Sequence, residues 1–119
     1  MQQNRIKIVE EALGVRLPED YADFLVSKGM HESGGIEVYG YNESIKDVNR
    51  IPCVIGATRL YREDYQLSPD DIVISHSGVE DEIIVLVTSS GRIFTVSHQG
   101  REEIAASFHE WFNGLESRK

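Results

Sequence analysis

The chain has 119 residues and reads as one domain over residues 1–119. Hydrophobic residues at 40% and charged residues at 27% are the balance of a soluble globular protein, and a single cysteine excludes an internal disulfide or a cysteine-rich metal cluster. The formal net charge of −8 argues against nucleic acid as a direct partner, because phosphate needs a basic stripe, and suits equally a basic protein partner, whose approach it would speed, or mere solubility.

The first helix is expected from about Asn4 to Leu13, where Ile6, Val9 and Leu13 form an apolar stripe and Gly14 is placed to end it. Leu17 to Gly29, LPEDYADFLVSKG, reads as a second, sharply bounded helix. Pro18 suits its first position, Glu19 and Asp20 complement the positive end of its dipole, and Gly29 supplies the left-handed residue that stops it. The spacing of Tyr21, Phe24 and Leu25 gives one apolar face, so the two helices form a hairpin.

Gly29 to Gly35 has loop composition. A strand follows in which Ile36 and Val38 alternate with Glu37, Tyr39 and Tyr41, which puts the last three on one polar, aromatic face. Ile51 to Ile55 reads as an edge strand because it contains Pro52, and Thr58 to Tyr65 as a short helix. Three strands then come quickly: Ile72 to Ser75, Glu82 to Thr88 and Arg92 to Ser97, the last two joined by a turn at Ser89-Ser90-Gly91. The unbroken run Ile83 to Val87 predicts a central strand covered on both faces. Ile104, Phe108, Trp111, Phe112 and Leu115 predict a last helix over about Arg101 to Leu115, with Glu102 and Glu103 in its first turn and a solvated tail from Glu116 to Lys119. The order is not the regular strand–helix alternation of a parallel fold. It predicts an α+β domain, a mainly antiparallel sheet packed by an N-terminal helical hairpin and a C-terminal helix.

No apolar run approaches the ~18–20 residues of a membrane span, and acidic residues interrupt the N-terminal stretch MQQNRIKIVEE before any signal core develops. A cytoplasmic protein without membrane contact is the expectation. Phosphate-binding loops and nucleophile elbows are absent from the sequence, and the four histidines, at 31, 76, 98 and 109, show no chelating spacing. His76 and His98 both follow strands and could meet at one sheet end. With Ser75, Ser77 and Asp81 nearby, that is the one constellation from which a small hydrolase could be built. The reading is nevertheless non-enzymatic, with no cofactor and no metal.

The pairing of ALGVRLPEDYADFLVSKG with a later half containing Gly91-Arg92-Ile93-Phe94 and IAASFHEWFNGL resembles the SUKH superfamily, the Smi/Knr-like domains. The resemblance implies a domain with no shared catalytic motif. It also implies, for the compact type without long disordered flanks, an immunity protein, an antitoxin that binds and neutralises a polymorphic toxin, often a nuclease. Fungal relatives imply the alternative of a regulatory module with an endogenous partner. The family's Gly-Gly-Asp-like turn is matched only loosely by Ser77-Gly78-Val79-Glu80-Asp81.

For the partner surface, the acidic connection Glu80, Asp81 and Glu82 stands out, because it has no capping duty; it reads either as a gatekeeper charge run that keeps the very apolar strand after it soluble or as a recognition patch for a basic partner. Glu37, Tyr39 and Tyr41 are expected to assist it, tyrosines being frequent anchors of binding surfaces, with packing beneath the Thr58–Tyr65 segment as the competing use of the two tyrosines.

Overall fold

The structure is a computed structural model and describes residues 3–117. Four helices pack around a six-stranded antiparallel sheet whose strands lie side by side in sequence order. Helix α1 spans Gln3–Leu13 and α2 spans Glu19–Ser27. Strands β1 (His31–Ser33) and β2 (Ile36–Val38) form a small hairpin, and α3 spans Val54–Arg62. The meander β3 (Asp71–His76), β4 (Ile83–Val87), β5 (Ile93–Ser97) and β6 (Gly100–Ala105) precedes α4 (Phe108–Ser117).

The α+β reading holds, with the helical hairpin at one end of the chain and a helix at the other. In β4, Ile84 and Leu86 face one side of the sheet and Ile83 and Val85 the other. All four are buried, as the unbroken apolar run requires. Tyr21, Phe24 and Leu25 of α2 are buried too. The Phe108 ring of α4 lies edge-on to Tyr21 at 5.1 Å and also 5.1 Å from Phe24, so the hairpin and α4 share one aromatic cluster.

Three sequence expectations are corrected. Gly29 to Gly35 is not all loop, since β1 pairs with β2 across a turn at Gly34 and Gly35. Ile51 to Ile55 is not a strand, since Val54 and Ile55 open α3. There burial of Val54, Ile55, Ala57 and Thr58 outweighs the poor helix propensity of β-branched residues and Gly56. Gly56 is required by a close approach, because a Cβ there would come within 2.4 Å of the Arg50 nitrogen. Finally, the stretch from Arg101 is not helical. Residues 100–105 are the edge strand β6, so Glu102 and Glu103 stand on a strand and Ile104 is 42% exposed.

The real start of α4 has its own cap. The Ser107 Oγ accepts the Glu110 N–H at 3.1 Å, and Asp20 of α2 accepts the His109 N–H at 3.0 Å. The helix runs through Ser117, so the expected tail is helical there, and residues 118–119 lie outside the described residues.

Candidate partner-binding site

The connection from β3 to β4 is short and held by its own backbone. Ser77 donates its N–H and its hydroxyl to the Glu82 carbonyl, both at 3.3 Å, and the Glu82 N–H returns to the Val79 carbonyl at 3.1 Å. The Val79 N–H donates to Ser77 Oγ and the Gly78 N–H to His76 Nδ1, each at 3.1 Å. Gly78 adopts φ +90° and Asp81 φ +61°, a region that aspartate tolerates better than most side chains. Asp81 therefore has a local conformational role that the sequence did not disclose.

These bonds leave the three carboxylates at the surface. Glu80 and Asp81 are exposed and Glu82 is half-buried, and none of them is ion-paired with another described residue. Just before them the loop raises Val79, which is 59% exposed. The loop forms one wall of a groove of about 530 Å³. Ile84 and Thr95 are in its lining from the sheet, Ile104 comes from β6, and Trp111 and Leu115 come from α4. Its charged lining residues are Glu82 and Glu110, with no lysine or arginine. Ser33, also in the lining, is buried with its hydroxyl unpartnered among the described residues.

The other expected site residues divide. Val38 pairs with Ser75, so Glu37 stands beside the His76 end of β3, from which the acidic connection leaves, and it is exposed. Tyr39 is buried, which removes it from any contact surface. Its N–H donates to the Ile74 carbonyl at 2.7 Å, its carbonyl accepts the Tyr21 hydroxyl at 2.7 Å, and burial pushes its own hydroxyl up to about 12. Tyr41 is half-buried beyond Gly40, where the chain presses on Gly29. The shared polar face of Glu37, Tyr39 and Tyr41 therefore does not form. Trp111, Ile104 and Glu110 were missed as surface residues because the reading put Trp111 and Ile104 on the buried face of one long helix. The sequence did carry a signal, since Ser107-Phe108-His109-Glu110 has the spacing of a helix-capping box.

The hydrolase constellation does not assemble. Ser75 Oγ donates to the Glu37 carbonyl at 2.6 Å, and Ser77 Oγ is used within its own loop. His98 pairs instead with Asp64 at 3.7 Å and stacks on Tyr65 at 4.4 Å. Neither the Ser75 nor the Ser77 hydroxyl bonds the ring of His76 or His98: Ser75 Oγ also reaches the His76 main-chain carbonyl at 3.3 Å, and His76 Nδ1 accepts the Gly78 N–H, so the ring contact that a nucleophile–base pair needs is not made by these residues. No group of three or more potential ligands is gathered there for a metal, and no helix is long and apolar enough to cross a membrane.

A family model described as SUKH_5, SMI1-KNR4 cell-wall, matches residues 1–115. The chain belongs to the SUKH family. That assignment covers every element of the fold up to Leu115, including both walls of the groove. No curated protein matches the sequence.

Proposed function

We propose that this SUKH domain is a non-catalytic binding protein of the immunity type, a cytoplasmic antitoxin that occupies a polymorphic toxin and blocks it. The observation that carries the reading is the unpaired acidic loop Glu80–Glu82 beside an apolar groove. A nuclease toxin must hold phosphate, so its cleft is basic, and a chain of net charge −8 is steered toward it. Family membership is compatible with this role. The words "cell-wall" in the family description favour a second reading, a regulatory module with an endogenous partner, which would use the same surface.

The test is co-expression with the product of a neighbouring toxin gene. Cells should survive, the two proteins should co-purify, and His76→Ala should keep protection if circular dichroism shows it folded. A folded His76→Ala that no longer protects would contradict a purely binding role, and failure of the unaltered chain to protect or to co-purify would favour the regulatory reading.

A further inference from the structure

The groove beside α4 is too apolar and too one-sided in charge to be a passive crease. Trp111 stands in its wall only half-buried, steadied by the Phe108 ring at 5.8 Å. Ile104 and Val79, 42% and 59% exposed, extend its apolar lining to the surface. Two carboxylates, Glu82 and Glu110, lie in that lining with no cation to match them, and Glu80 and Asp81 follow Val79 along the same loop.

We propose that this groove takes a linear segment of the protein partner, one that inserts an apolar side chain against Trp111 and Ile104 and sets a lysine or arginine against Glu82 and Glu110. The proposal rests on the reading of the domain as a protein binder and names the chemistry that binder selects. An aromatic anchor in an apolar slot supplies contact area at low entropic cost, and the acids at its margin fix the orientation and exclude acidic sequences. Charge complementarity selects this occupant over others. A second copy of the chain would bring the same acids and a net charge of −8 against the rim, and nucleic acid or an anionic lipid surface would be repelled in the same way. The unpartnered Ser33 hydroxyl in the lining is a second unmet demand, which a polar main-chain group of the segment answers after a small shift.

The probe is a library of random short peptides displayed on phage, selected on the full chain. The enriched sequences should share an apolar residue flanked by lysine or arginine. A synthetic peptide of that consensus should bind at least about tenfold more weakly to the double variant Val79→Ser/Ile104→Ser. The same peptide should lose most of its salt dependence on Glu82→Gln/Glu110→Gln. All four side chains lie at the groove's exposed or half-buried margin, so both variants should fold, and Trp111→Ala serves as a third only if circular dichroism shows it folded. Three results would overturn the proposal: no enrichment, enrichment of acidic or uncharged sequences, or binding that neither double variant weakens. A fourth, concentration-dependent dimerisation abolished by Val79→Ser/Ile104→Ser, would overturn it in favour of a second copy. Rescue from the toxin by a chain that fails these peptide tests would leave the antitoxin reading standing and remove only the groove from it.

Discussion

Arg101 of the edge strand β6 reaches Asp71 at the start of β3, with its Nη2 2.8 Å from an Asp71 Oδ2 whose side chain is 1% exposed. The guanidinium passes over the Phe94 ring, 5.5 Å from its centroid. Asp71 also accepts the Ser68 N–H and hydroxyl, so one carboxylate gathers the α3–β3 turn and the last strand. Arg101→Met should cost about 1.5–3 kcal/mol in urea melts, the range for hydrogen bonds to a charged group. The lower half is expected, because Ser68 remains and water reaches the arginine side. A loss below ~0.5 kcal/mol, ordinary for a surface residue, would show the pair to be incidental.

Phe108 and Trp111 lie on the same helix but differ in burial, and their replacements should differ too. Phe108 is buried among Tyr21, Phe24, Phe112 and Trp111, so Phe108→Ala should cost about 3–5 kcal/mol. Trp111 faces the groove and is half-buried, so Trp111→Ala should stay below ~3 kcal/mol. Equal losses in chemical denaturation would mean that the groove is filled in solution.

Arg5 of α1 clamps Glu43 in a bidentate pair at 2.8–3.2 Å and donates to the Leu25 carbonyl at 2.8 Å, tying the 42–49 loop to the helical hairpin. The guanidinium hydrogen bond holds the Glu43 carboxyl down at about 2. A carboxyl depressed in the folded state stabilises above its unfolded value of ~4.3 and loses that contribution as the pH falls from there through about 2. Glu43→Gln should therefore match the parent chain at low pH and be the less stable of the two above it. The difference should be small, because the carboxylate is exposed to solvent. A difference that is constant with pH would show that Glu43 does not titrate with folding.

How much of this was legible follows from which forces set each element. The α1–α2 hairpin could be read because Pro18, the helix-start acids, the apolar spacing and Gly29 all point one way, and the structure keeps Gly29 at φ +78°. The central strand could be read because five apolar residues in a row, four of them Ile or Val, have a strand's length and suit a strand covered on both faces. What failed was set by contacts distant in sequence. β1 is three residues long and exists because Val38 and Ser75 carry β2 into the sheet. The boundary between β6 and α4 was blurred because Ile104 happens to fall on the helical spacing of Phe108 and Trp111, although on β6 it takes the opposite, exposed role. At the site, the acidic connection was visible as a charge run, whereas Tyr39 was misplaced because Tyr21 and Ile74 take its main chain inward.

The association rate of the proposed toxin partner with this chain, measured at low and at physiological salt, tests the account most directly. The comparison is Glu80→Lys/Asp81→Asn/Glu82→Lys, with asparagine at 81 because that position holds φ +61°. Exposed charges are screened beyond ~8–10 Å at physiological ionic strength, so the on-rate of the parent chain should fall as salt rises. The variant should associate slowly at both salts, with its melting temperature nearly unchanged. An on-rate independent of salt, and the same in the variant, would contradict the claim that this acidic margin receives the partner.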